Sequence, residues 1–257
     1  MTRLIILLLA LPAMLLAQTK IKSVQLTGDV ISVSIDRPGD VYIALSDGIV
    51  QHFGSDGQLL GVLKSGAPDL FDPRDGARLF AFYRKSRHYE YLNPSFEVTK
   101  STTIDSSLVS EPWLVCPSGD YNIWAIDAAD NTLKKISPST SEITTEVVLK
   151  EFPDVSGIKF MREYQGFLFI HTTANTILVF NGMGRQLKSI GAGRATYFNF
   201  IGEELYYLDE GQLNLFNLFT ADSRLIKLAF PARIALVSDE RLYLINKNVL
   251  EVFTPVH

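Results

Sequence analysis

Six short segments rich in aromatic and branched residues recur at a nearly constant interval, and this repetition limits the fold more tightly than any other property of the chain. VYIAL, LFAFY, IWAID, LFIHT, LYYLD and LYLIN begin at Val41, Leu79, Ile123, Leu168, Leu205 and Leu242, spaced by 38, 44, 45, 37 and 37 residues. Each sits inside a similar unit. In Leu168 to Gly191, three strand-like runs (Leu168 to His171, Thr176 to Phe180, Gln186 to Ile190) are separated by the polar turns Thr172 to Asn175 and Asn181 to Gly184. Runs of this length between Asn/Gly turns are hairpin signals.

A unit of four strands in about 40–50 residues is one blade of a β-propeller. The remaining strands can be placed around the six aligned ones. First strands are expected at Ile31 to Ile35, Asp69 to Phe71, Trp113 to Val115, Gly157 to Met161, Thr196 to Ile201 and Arg233 to Val237. Third strands are IVQHF, HYEYL, TLKKI, TILVF, QLNLF and VLEVF. Fourth strands are QLLGVL, FEVTKST, EITTEVV, QLKSI and SRLIKLAF, for the first five units only. The sixth unit stops at Phe253, while Ile21 to Leu26 (IKSVQL) stands unused ahead of the first. An open ring would leave exposed strand edges, which invite aggregation. The expected fold is therefore all-β: a single six-bladed β-propeller over residues 18–257, closed by the N-terminal strand pairing into the last blade. Two separate β domains would need a linker, and the sequence has none. Sustained helical periodicity is absent.

Ile177 to Gly191 (ILVFNGMGRQLKSIG) resembles the repeat of NHL-type six-bladed propellers, a group with TolB-like relatives, in which an apolar residue and Val-Phe-Asp precede a glycine turn. Ile49 to Leu63 is a looser match. The resemblance implies the fold and no particular chemistry, because such propellers include binding modules and a few enzymes. The Trp-Asp pair of WD40 blades, the Gly-Gly pair of kelch blades and the aspartate box of sialidases are missing.

Arg3 and the apolar run Leu4 to Leu16, ending at Ala17, read as a cleavable signal peptide over residues 1–17. The run is shorter than the roughly 20 residues of a membrane span. Cleavage is expected after Ala17, and Gln18 rather than Cys follows, so no lipid anchor is expected. Export to the periplasm or beyond a bacterial cell is the implied location. Cys116 is the single cysteine, which rules out an internal disulfide and any cysteine-built metal site. Net charge is −4, with no basic excess for a nucleic-acid partner.

No chemical motif emerges. His52, His88, His171 and His257 have no metal-site spacing, and no cofactor is expected. Asp72 to Gly76 is only faintly like a calcium loop and reads as a turn. Nucleophile elbows and phosphate loops are missing. The better guide is architecture. In a propeller, the loops from fourth to first strands (4–1) and from second to third strands (2–3) share one face around the central channel, and loops on a rigid frame carry function. Arg84, Arg87, Asp127, Asp154, Arg194, Asp209 and Arg233 are the binding candidates there, with no catalytic or metal residue among them. Trp113 and Tyr197 lie near the same face. The expectation is a non-enzymatic module that binds another envelope protein. The alternative is a hydrolase or lyase on a glycan or peptide, using two carboxylates about 5–10 Å apart among Asp127, Asp154 and Asp209.

Overall fold

The computed structural model describes residues 18–74, 76–150 and 154–255. The signal-peptide segment lies outside them. Strand β1 (Lys20–Gln25) is followed by six groups. The first holds β2 (Val30–Ile35), β3 (Val41–Leu45), β4 (Val50–Phe53) and β5 (Leu59–Leu63). The second holds β6 (Leu70–Asp72), β7 (Leu79–Tyr83), β8 (His88–Leu92) and β9 (Val98–Thr103). The third holds β10 (Pro112–Pro117), β11 (Ile123–Asp127), β12 (Thr132–Ser137) and β13 (Glu142–Val148). The fourth holds β14 (Ile158–Tyr164), β15 (Phe167–Thr172), β16 (Thr176–Asn181) and β17 (Gln186–Gly191). The fifth holds β18 (Phe198–Ile201), β19 (Glu204–Asp209), β20 (Gln212–Asn217) and β21 (Ser223–Lys227), and the sixth β22 (Ile234–Val237), β23 (Leu242–Asn246) and β24 (Val249–Phe253). Each group is a four-stranded antiparallel sheet in chain order, and β1 completes the sixth. These are the six blades of a propeller. Among the described residues the one helical element is a 3₁₀ turn, Val155–Gly157, and no helix is long and apolar enough to cross a membrane.

The ring closes as the strand count requires. Lys20 pairs with Phe253 and Gln25 with Val249, and the Lys20 ammonium meets Glu251 at 2.6 Å. Second strands are apolar on both faces because each is packed between neighbouring blades: β3 and β11 are buried along their whole length. The apolar clusters lie between blades rather than at one centre. The largest joins Phe80 and Tyr89 of the second blade, Trp124 and Ile126 of the third, and Met161 and Leu168 of the fourth. Each fully buried side chain of this kind contributes about 1.5–3 kcal/mol.

Polar groups also tie blade to blade. Arg84 Nε donates to Trp113 O at 2.7 Å, Trp113 Nε1 to Ile158 O at 2.9 Å, and Tyr243 Oη to Gly39 O at 2.7 Å. The Val237 amide donates to Tyr206 Oη at 3.0 Å. The 2–3 turns share one device: Gly48, Arg87, Asn131, Asn175, Glu210 and Lys247 all have positive φ, between 47° and 86°. Glycine takes that conformation freely, whereas side chains such as those of Arg87, Glu210 and Lys247 take it at a cost.

Several expected strand ends shift by one to three residues, and two of the shifts matter most. The second blade's first strand begins one residue later than expected, so Asp72 falls inside β6. The fifth blade's fourth strand ends at Lys227 instead of Phe230, because the Leu228 amide turns to Gly211 O and Pro231 follows.

Candidate functional site

Five of the residues singled out from the sequence, Arg84, Arg87, Asp154, Arg194 and Arg233, lie on 4–1 or 2–3 connections, and Asp127 and Asp209 end the second strands that lead into 2–3 turns. Their side chains are mostly occupied in holding those connections. Asp127, at the end of β11, is fully buried. Its carboxylate accepts the amides of Ser110 (2.8 Å), Glu111 (2.9 Å) and Ala129 (3.1 Å), and the Lys134 ammonium lies at 2.8 Å. Burial alone would raise its pKa, but Lys134 and the backbone donors outweigh it and hold the group below the usual carboxylate range. Asp209 accepts the Arg194 amide at 2.9 Å, and Asp69 accepts the Arg84 amide at 2.8 Å. In three blades, then, a carboxylate clamps the entering loop to the 2–3 turn of the same blade.

Asp154 caps the 3₁₀ turn, accepting the Ser156 amide at 2.8 Å and hydroxyl at 2.6 Å, and these bonds lower its pKa. Arg87 donates to Ser110 O and Val109 O, each at 2.8 Å, and Arg233 donates to Val30 O at 3.0 Å. Arg84 stacks 3.6 Å over the Trp113 ring. Arg84, Arg87, Lys85 and Trp113 therefore gather around a cavity of about 390 Å³ between the second and third blades. Arg194 and Asp209 are neighbours in the fifth blade, whereas Asp154 and Arg233 stand on connections of their own. Arg194 is the most open of the set, with only Glu210 nearby at 3.7 Å.

The opposite mouth of the channel, ringed by connections from first to second strands (1–2), holds a larger cavity of about 590 Å³. Inward-facing residues near the ends of β6, β14 and β18 form its floor. Arg162, buried, donates Nη1 to Asn199 Oδ1 at 2.5 Å and faces Asp72 with Nη2 at 3.3 Å. Arg74 Nε lies 3.3 Å from the other oxygen of Asp72, and its Nη2 donates to Pro117 O. Glu163 accepts Trp124 Nε1 at 2.7 Å, the Gly119 amide at 2.5 Å and the Ser118 hydroxyl. Asp36 accepts the Gly39 and Asp40 amides at 2.9 and 2.8 Å and Tyr42 Oη at 3.2 Å. Desolvation, with Asp40 adding a like charge, outweighs those bonds and raises Asp36 to about 6.

None of these floor residues was singled out from the sequence. Asp72 and Arg74 fell in a stretch read as a turn, and Arg162 and Glu163 fell just past the expected first strand Gly157 to Met161, which β14 extends to Tyr164. The available signal was two adjacent charges, Arg162-Glu163, within a first strand whose neighbours are apolar. First strands line the channel, so such charges face its interior.

His171 is the penultimate residue of β15 and is fully buried, with no hydrogen-bond partner at either ring nitrogen. Desolvation, aided by Lys159, lowers its pKa to about 4, so the ring is neutral and packs edge-on to Phe198. Cys116 is wholly buried in β10 and its thiol pKa is pushed up by desolvation, the opposite of a reactive thiol. His52 Nε2 donates to Asp40 Oδ2 at 2.9 Å, and the ring stacks on Tyr42. Among the described residues no group of three metal-ligating side chains is found.

No family model and no curated protein sequence matches the chain. Solved structures do. Virginiamycin B lyase from Staphylococcus aureus matches with a TM-score of 0.56 at 10% identity, over 91% of this chain and 99% of that one. The WD40 domain of Pan2 from Neurospora crassa matches with a TM-score of 0.60 at 11% identity, over 93% and 96%. The extracellular domain of a two-component-system protein from B. thetaiotaomicron matches with a TM-score of 0.54 at 12% identity, over 87% of this chain and 33% of that one. At such identities the likeness concerns the fold alone, and the three neighbours differ in what they do. The chain is thus similar to propeller proteins as a class.

Proposed function

We propose that this chain is an exported, non-enzymatic binding module that docks another protein of the bacterial envelope through its 4–1 and 2–3 loop face. The supporting observation is the state of that face's carboxylates. Asp127 and Asp154 have lowered pKa values, so they are ionised and hold no proton to donate, and all three carboxylates including Asp209 are engaged as loop clamps by backbone amides. What the face offers outward is a rigid ring of mixed charge: Arg194 and Glu210, Lys85 beside Arg84, and the Lys247 turn. Such a pattern suits an electrostatically complementary protein surface. The apolar Leu4 to Leu16 segment supports export.

Cross-linking and co-purification from native envelope test the proposal, with the Arg194→Glu, Arg233→Glu double variant alongside. The expected result is one envelope protein recovered with the parent chain and lost with the variant. Recovery of the parent without a partner, or equal recovery by the variant, would sink the reading.

A further inference from the structure

We infer that the cavity at the 1–2 mouth of the channel is a binding pocket for a small carboxylate-bearing ligand, recognised by Arg37, Arg74 and Arg162. It is independent of whichever protein docks on the far face. The argument begins with hydrogen-bonding capacity. A guanidinium carries five N–H donors and no acceptor, and a carboxylate accepts about four bonds. Two of the buried carboxylates at this mouth, Glu163 and Asp36, are nearly saturated by the protein itself, while one oxygen of Asp72 has no hydrogen-bond partner. Glu163 and Asp36 each accept three bonds, and Asp72 accepts the Arg74 amide while lying between two guanidiniums.

The donors are in surplus. Arg162 directs only Nη1 and Nη2 at Asn199 and Asp72, and Arg74 only Nε and Nη2 at Asp72 and Pro117 O. Arg37, exposed at the rim on the β2–β3 connection, has no ion pair with a described residue. Three guanidiniums from three blades thus line one space with N–H donors to spare. A carboxylate fills such donors in pairs, and the bond is charge-assisted. The opposing charges are Asp36 and Glu163, engaged by their own donors, Asp72, which faces Arg74 and Arg162, and Asp239, which stands exposed at the rim where water screens it.

Size and shape agree. About 590 Å³ falls within the range of small-ligand sites. One wall is apolar, made by Ile35, Phe200 and Val237, and Phe200 is held flat by Tyr164 stacked at 4.2 Å. The ligand is then a carboxylate attached to a modest apolar or flat body. A peptide C-terminus and a sugar acid share that chemistry.

Calorimetric titration of the purified protein separates these sources. The probes are N-acetyl-trialanine as free acid and as amide, and digalacturonate as free acid and as methyl ester. Tighter binding by at least ~10-fold of either acid over its neutral form supports the pocket, and the acid that binds identifies the source. Arg37→Glu is expected to weaken that acid by ~10-fold or more, while Arg194→Glu on the far face leaves it unchanged. Thermal melting checks that Arg37→Glu is folded, and Arg74→Lys, which keeps the charge but loses the fork, is the second variant. Failure of both acids to bind below ~1 mM overturns the inference. So does equal binding of acid and neutral forms, or an unchanged affinity in both arginine variants.

Discussion

Asp127 at one mouth of the channel and Asp36 at the other are both almost fully buried, yet they titrate in opposite directions. Asp127 is 0% exposed and is held below its ordinary range; Asp36 is 6% exposed and raised to about 6. Each accepts backbone amides, so backbone donors do not separate them. The difference is the cation. Lys134 reaches Asp127 at 2.8 Å, whereas Asp36 has no ion pair among the described residues and has Asp40 beside it. Burial penalises any charge, and at Asp127 the Lys134 ammonium adds to the backbone donors and reverses the sign. The clamped loop face is therefore rigid and ionised, while the other mouth keeps a carboxylate poised to titrate.

The strongest way to break this contrast is to remove the cation. Lys134→Met should raise the Asp127 pKa toward that of Asp36 and destabilise the fold by about 3–5 kcal/mol at neutral pH, since a buried charge is left unpaired. Arg162→Met should cost less, ~1–3 kcal/mol, because Asn199 loses its donor while Arg74 still faces Asp72. Urea midpoints measure both, and a loss below ~1 kcal/mol in either would show that its partner is not held by that cation.

The next effect is pH-dependent and tests the sign directly. The folded pKa of Asp36 is raised, so its contribution is fully present below 3.8 and is lost as pH rises through about 6. His171 is lowered from 6.5 to about 4, so its contribution is present above 6.5 and is lost as pH falls through about 4. Each amounts to roughly 3 kcal/mol, and between pH 4 and 6 the two slopes oppose each other. Asp36→Asn should leave a stability that rises with pH across that window. His171→Phe should leave one that falls, and should also remove two unpartnered buried nitrogens. Chemical denaturation from pH 4 to 7 decides, and parallel curves for the two variants would contradict the assignment.

Smaller effects sharpen the picture of the loop face. Glu210→Gly or Lys247→Gly relieves a left-handed turn and should stabilise by about 0.5–1 kcal/mol, seen as a raised Tm. Arg194→Glu should change stability by less than ~0.5 kcal/mol, because its contact with Glu210 is exposed and long. A larger loss there would mean the charge is structural, and the proposed docking test would need another residue.

The blades were legible because their signals are local. VYIAL, LFAFY and IWAID are strand formers bounded by turn residues, and all three begin a strand at the expected residue. The spare N-terminal run and the missing last strand also pointed to each other, and β1 pairs with β24. β6 was harder: its three residues are too few for a clear alternation. The candidate loop residues were legible by position but not by role. Asp209 and Asp127 look alike in sequence, and only the fold shows that one takes a lone amide while the other takes three and a lysine.

By itself the sequence determined the blade period, the number of blades and the strand that closes the ring. Each depends on alternation and turn chemistry within a few neighbouring residues, or on counting. The tertiary structure alone decided which charges meet. Glu163 finds Trp124 and Ser118 at separations of 39 and 45 residues, and Arg162 finds Asn199 at 37. These partners lie about one blade apart in the chain and become neighbours only when blades stack around the channel. Burial and charge pairing arise from that stacking, and so does the difference between a clamped carboxylate and a free guanidinium.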